Sequence, residues 1–164
     1  EGAVSGRLKF FPVINRTVPL DVFVTPATCR RCKTETRLVT GLVFAVSRVM
    51  PGHPDIPASL QSIGELFEGP QRLASWLPPS LLKRHGIGAL RVRQSGLDVE
   101  NHESYLSNGC VRCDAMQARW FEGSLEADEE LALSVDVVFD ALLAFYLPHI
   151  DHIVSRWWFD ESKR

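Results

Sequence analysis

All four cysteines of the chain fall in two Cys-x-x-Cys pairs, Cys29-Arg30-Arg31-Cys32 and Cys110-Val111-Arg112-Cys113, with 77 residues between them. No other feature restricts the fold as much. A Cys-x-x-Cys turn reverses the chain so that two sulfurs face one point while backbone amides donate to them. Two such turns complete a tetrahedron about one ion, with metal–sulfur distances of about 2.3 Å for zinc. Zn2+ is therefore the expected cofactor, with Cys29, Cys32, Cys110 and Cys113 as its ligands. The cation lowers the thiol pKa values, so the ligands bind as thiolates at neutral pH. Four sulfurs leave no coordination position for water, which makes the expected site structural rather than catalytic.

Three other uses of the cysteines compete. Two disulfides belong to oxidising compartments, and nothing in the chain indicates secretion. A redox-active pair is an alternative for either Cys-x-x-Cys alone, although neither clearly opens a helix. An iron–sulfur cluster also accepts four thiolates, but the paired spacing favours a single ion. Zinc ribbons usually separate their two pairs by about 15–20 residues. The longer gap here has room for strands and helices, so the ion would fasten two distant parts of the fold and close a long loop.

The 164 residues suit one domain spanning 1–164, and 45% hydrophobic with 23% charged residues is the make-up of an ordinary globular protein. A chain of this length does not need metal merely to offset small size. No apolar run reaches the roughly 18–20 residues of a membrane span, so no membrane is expected and the expected location is cytoplasmic. The chain begins Glu1-Gly2-Ala3-Val4 without an initiator Met or the pattern of a signal peptide, as a trimmed terminus or a domain cut from something longer would. Charge is unevenly spread. Residues 1–120 carry 15 Lys+Arg against 10 Asp+Glu, and residues 121–164 carry 3 against 10. Attraction between two halves of one fold, or a basic binding face beside an acidic region, would both produce this split.

Leu8–Ile14 and Leu20–Val24 read as short strands leading to the first knuckle, and Thr36–Val46 as a third, with Gly41 marking a bulge or close approach. Pro51, Pro54 and Pro57 predict a loop over Met50–Pro57. An inserted helical stretch follows at about 57–86. Leu60, Ile63, Leu66 and Phe67 share a helix face, Gln71–Trp76 and Ser80–Arg84 are shorter helical pieces, and Gly86 stands where the last should stop. Leu90–Gln94 reads as a strand. Leu131, Leu133, Val135 and Val137 alternate like a strand, while Val138, Leu142, Phe145 and Tyr146 continue at helical spacing. The acidic run Asp128-Glu129-Glu130 suits a helix start, so a C-terminal helical region is expected over about 126–160, from Ala127–Tyr146 through a last helix at His149–Phe159. The expected fold is α+β: an antiparallel sheet around a zinc-knuckle pair, with an inserted helical stretch and C-terminal helices.

The second knuckle reads Tyr105-Leu-Ser-Asn108-Gly-Cys110-Val-Arg-Cys113-Asp114-Ala115-Met-Gln117, with Phe121 beyond it. This resembles a zinc-ribbon-type module of uncharacterised bacterial proteins, whose second half runs Tyr-x-x-Asn-x-Cys-x-x-Cys-Gly-Ala-x-Gln-Gly-Asp and then an aromatic. The likeness covers these residues and the first Cys-x-x-Cys with the strand before it. It implies a zinc-bound fold and a bacterial origin, and no activity. Asp114 stands where that pattern has Gly, and Asp tolerates the positive φ a knuckle often needs. Ala118-Arg119 replace Gly-Asp. Beside the site, Asn108 is expected to cap the turn, Tyr105 to pack near it, and Gln117 to hydrogen-bond backbone across it.

Catalytic patterns are sparse. His102-Glu103 before Cys110-x-x-Cys113 invites comparison with zinc deaminases, but the two residues are adjacent, Gly109 replaces Pro, and no helix fits between. His149 and His152 share a helical spacing without a supporting Glu. No Gly-x-Ser-x-Gly elbow or phosphate-binding glycine loop occurs. An enzyme would need a pocket built from scattered residues such as His85, His102 and Glu103. The expectation is a non-enzymatic interaction module whose partner is another protein. Nucleic acid is the alternative partner, contacted by Arg30, Arg31, Lys33, Arg37, Arg91, Arg93 and Arg112. Cations near a tetrathiolate also have a simpler cause, since such a site carries a formal charge of about −2 with zinc bound. Trp157-Trp158-Phe159 would be a core face or, if exposed, a contact patch.

Overall fold

β1 (Arg16–Thr28) is the spine of a four-stranded antiparallel sheet. A computed structural model describes residues 13–95, 103–117, 129–144 and 147. β1 pairs on one side with β2 (Glu35–Phe44) and on the other with β6 (Glu130–Phe139). A short β3 (Ile56–Ala58) extends the sheet beyond β2, giving the order β3-β2-β1-β6. The strand read at Leu20–Val24 is part of a longer one that runs from Arg16, Val13 and Ile14 are not in a strand, and residues 8–12 of the other expected strand lie outside the described residues. β3 also forms at the end of the expected proline loop.

The strand pattern follows from residue type. Val18, Leu20, Val22 and Val24 alternate along β1 and are fully buried on one face, where β-branched side chains fit the pleat. Both ladders slip at the same height on β1. Between Phe23 and Val24 the pairing with β2 skips Thr40, beside the Gly41 that marked a bulge, and between Val22 and Phe23 the pairing with β6 skips Ala132. Paired bulges bend the sheet and raise its twist there.

A short helix not expected from the sequence, α1 (Val46–Val49), precedes the inserted segment, which is helical as expected: α2 (Leu60–Glu65), α3 (Gly69–Trp76) and α4 (Pro79–Arg84). Ser59 caps α2, accepting from Ser62 N–H at 3.0 Å, and Pro lies in the first turn of α3 and α4. Gly86, at φ 72°, follows α4 and takes the left-handed conformation that ends it. These helices cover the sheet through Leu60, Ile63, Leu73, Leu77 and Leu82, all buried. Phe44 sits at the centre, edge-on to Phe139 at 5.3 Å and to Trp76 at 6.0 Å.

The C-terminal helical region expected from about 126 is corrected: residues 130–139 form β6. The period-two set Leu133, Val135, Val137 and Phe139 sets the outcome, since it places Leu133, Val137 and Phe139 against the core. Glu129 and Glu130, which suited a helix start, stand instead where β6 begins. Among the described residues that follow β6, helix is present at 141–144, capped by Asp140, whose carboxylate accepts from Leu143 N–H at 3.1 Å and from Arg72 of α3 at 2.6 Å. The last helix expected at His149–Phe159 lies outside the described residues.

A separate hairpin, β4 (Arg91–Ser95) with β5 (Glu103–Ser107), packs against α2. Among the described residues no helix is long and apolar enough to cross a membrane.

A candidate tetrathiolate metal centre

Each Cys-x-x-Cys caps a hairpin, and the two backbones are built alike. In the first, β1 and β2 close at the Thr28–Glu35 pair, and in the second a short ladder closes at Gly109–Met116. Cys29 N–H donates to Thr34 C=O and Lys33 N–H to Cys29 C=O, both at 2.9 Å. Cys110 N–H donates to Ala115 C=O at 2.9 Å and Asp114 N–H to Cys110 C=O at 3.0 Å. The fourth residue after each leading Cys is left-handed, Lys33 at φ 61° and Asp114 at φ 58°. The positive φ expected at Asp114 is present. Its counterpart at Lys33 was missed, although the same offset from Cys29 pointed to it.

The four sulfurs lie within 4.8 Å of one another. Cys29 Sγ is 3.6 Å from Cys113 Sγ, and Cys32 Sγ is 3.5 Å from Cys110 Sγ. Bonded sulfurs stand about 2.05 Å apart, so the cysteines are free thiols and not two disulfides. A tetrahedral ion with bonds of about 2.3 Å needs sulfur–sulfur edges of about 3.8 Å. The cluster fits a single ion of that kind, and four sulfurs this close leave little room for a core of several irons. The donor set is purely thiolate, which suits zinc or iron rather than magnesium or calcium.

Crowded thiols without a cation cannot all ionise. A hydrogen bond from the Thr34 hydroxyl draws Cys32 down to about 6, aided by the Thr34 backbone. Cys29 is lowered by the Cys32 backbone amide most of all. The Ala115 amide also pulls on Cys113, yet burial and the neighbouring sulfurs push it up to about 11. A bound dication would remove this conflict, because it favours every thiolate at once. Backbone and side-chain donors already point inward: Arg112 N–H lies 3.4 Å from Cys110 Sγ, and Gln117 Nε2 lies 3.7 Å from Cys29 Sγ.

Gln117 also donates to Ala115 C=O at 2.9 Å, so it braces its own knuckle while reaching a sulfur of the other. Asn108 reaches across to β2. Its side-chain amide accepts from Val39 N–H at 2.7 Å and donates to Val39 C=O at 2.9 Å, standing in for a neighbouring strand on the edge of β2. Thr36 Oγ1 accepts from Val111 N–H at 3.0 Å, and Arg112 reaches Thr34 Oγ1 at 3.3 Å. Tyr105 lines a cleft of about 380 Å³ between α2 and the β4–β5 hairpin, together with Gln61, Glu65 and Val92.

The seven basic residues singled out for nucleic acid divide into two groups. Arg93 is buried beneath the second knuckle, bonded to Asp114 Oδ1 at 2.7 Å, Asp114 C=O at 2.8 Å and Ala89 C=O at 2.6 Å. Arg91 holds the other carboxylate oxygen. The Arg93 guanidinium, with Arg91, keeps the Asp114 carboxyl below the usual carboxylate range. Arg37 donates to His85 C=O at 2.7 Å and pairs with Glu130. Arg30, Arg31, Lys33 and Arg112 are exposed around the knuckle tips. Of the scattered residues an enzyme would need, His85 caps α4 beside Arg37, Glu103 opens β5, and His102 lies outside the described residues.

Comparison with known families, characterised proteins and solved structures gave no match to this chain.

Proposed function

We propose that Cys29, Cys32, Cys110 and Cys113 hold one Zn2+ as a structural crosslink, and that the protein is a non-enzymatic interaction module of the zinc-ribbon type. The observation that carries the reading is four free sulfurs within 4.8 Å, on two knuckles of matching backbone. Zinc bound there would have every coordination position filled by protein, so its chemistry is to tie the β1–β2 hairpin to the second knuckle. A reducing, cytoplasmic setting keeps the thiols available. A protein partner is supported by the cleft beside α2, where Val92 is 44% exposed and Phe67, between the cleft-lining Glu65 and Pro70, is 74% exposed.

Elemental analysis and thiol titration on protein purified without added metal test the site. About one zinc per chain, with thiols reactive only after chelation, is the expected result. Iron in its place would refute zinc, and no metal with four freely reactive thiols would refute the site.

A second reading rests on the exposed Arg30, Arg31, Lys33 and Arg112, which could contact a nucleic-acid backbone. Binding should then weaken with salt by a log–log slope of about 0.7–0.9 for each phosphate contact. Arg30→Ala with Arg31→Ala should lower that slope, whereas Arg37→Ala should not. Absence of salt-dependent binding to single- and double-stranded oligonucleotides removes this reading.

A further inference from the structure

β6 ends the sheet, and among the described residues nothing pairs with its outer edge. The strand reads Glu-Leu-Ala-Leu-Ser-Val-Asp-Val-Val-Phe, ten residues without Lys or Pro. Edge strands are normally blunted by such residues, by shortness or by cover, because unpaired N–H and C=O groups recruit another strand. The Ala132 bulge interrupts only one end, so Leu133–Phe139 run on in regular register against β1. Leu131 and Val138 are 52% and 53% exposed. They share the outer face of the sheet, since Leu131 pairs with Phe23 and Val138 with Thr17, on the side of β1 opposite Val18 and Val22.

We propose that β6 pairs antiparallel with β6 of a second copy, about a two-fold axis through Val135. Residues directly opposite one another in an antiparallel pair must lie on the same face, which restricts the axis to pass through a residue. An axis at Asp136 sets two carboxylates against each other, and an axis at Ser134 leaves Val138 without an apolar partner. The axis at Val135 sets Ser134 opposite the second copy's Asp136 and Leu133 opposite its Val137. Allowing for the bulge, Leu131 then faces the second copy's Val138, and the contact occurs twice by symmetry. Both exposed apolar side chains are covered, no like charges meet directly, and Glu130 keeps its partner Arg37 within its own chain. The sheets become one of eight strands with both helical layers on one face. This assembly goes beyond the metal reading and does not depend on it.

Sedimentation of the full chain, as purified without added metal, over a range of concentrations should show a monomer–dimer equilibrium. Leu131→Lys with Val138→Lys should abolish the dimer, and so should Leu131→Glu with Val138→Glu, with circular dichroism and metal content unchanged because both sites are exposed. Mixing the two variants should restore a dimer as a heterodimer, since each introduced ammonium then opposes an introduced carboxylate. A wild-type chain that stays monomeric, a dimer that survives both variants, or a mixture no more dimeric than its components would each overturn the proposal.

Discussion

The two knuckles share one backbone design and differ in what stands behind it. The first is the turn of a long hairpin whose strands belong to the main sheet, with β1 paired on both sides. Its left-handed residue, Lys33, is exposed. The second closes a short ladder outside that sheet, and its left-handed residue, Asp114, is gripped by Arg91 and Arg93. Above them Gly109 has no room for a side chain: a Cβ there would lie 2.1 Å from Arg93 Nη2 and 2.8 Å from Asp114 Oδ1. A knuckle carried by an extended sheet needs little local support. One carried by a short ladder is held by an ion pair, an amide clamp and, on the reading above, the metal.

The contrast can be broken at the metal first. Cys110→Ser should abolish stoichiometric metal binding, because the three remaining sulfurs lack the fourth donor. Amide hydrogen exchange should then rise sharply across residues 103–117 while β1 and β2 keep most of their protection. Equal loss over both knuckles would show that the sheet does not support the first one independently.

Next comes the amide clamp. Asn108→Ala leaves the N–H and C=O of buried Val39 without partners on that side, at a cost of about 2–4 kcal/mol in denaturant unfolding. A change under about 1 kcal/mol would mean that another group, or water, takes the place of the amide.

Gly109 and Thr28 occupy matching positions ahead of the two leading cysteines. Gly109→Ala should cost about 1–3 kcal/mol by forcing Arg93 and Asp114 apart, whereas Thr28→Ala, at an exposed site, should stay within about 0.5 kcal/mol. Similar costs at both would erase the distinction between a supported and an unsupported knuckle.

The smallest effect concerns the left-handed residues. Lys33→Gly removes an unfavourable φ at an exposed site and should stabilise by up to about 1 kcal/mol. Asp114→Gly gains the same conformational relief but strips the carboxylate from Arg93, whose side chain is 5% exposed, so it should destabilise. Thermal melts of the two variants should therefore shift in opposite directions.

Much of the four-cysteine cluster was legible in the chain because its information is local. Cysteine spacing picks out the four sulfurs that meet, and the offset of Asp114 from Cys110 carries its backbone conformation. The helices of the insertion were legible for the same reason, through apolar spacing, prolines and Gly86. The functions of Asn108, Arg91 and Arg93 were not, since each depends on a residue distant in sequence: Val39 for the amide, Asp114 for the two arginines. β6 was misread because Asp128-Glu129-Glu130 and the apolar residues after Val137 imitate a helix locally. Pairing with β1, which makes Leu133, Val137 and Phe139 core residues, acts at a separation that no short window contains.

The first knuckle's place at the tip of the β1–β2 hairpin has a kinetic consequence. Hairpins of local contacts close in microseconds, far ahead of contacts spanning long stretches of chain. Cys29 and Cys32 are thus brought together early, as a two-sulfur half-site, while their meeting with Cys110 and Cys113, 78 and 84 residues apart along the chain in the two close sulfur contacts, must wait for the helices and the second hairpin to assemble. An ion captured by the first pair would ride through folding and be locked in place last. Its tight retention would then mark completion of the fold, and refolding begun with metal present should differ from refolding without it chiefly in the final, slowest phase.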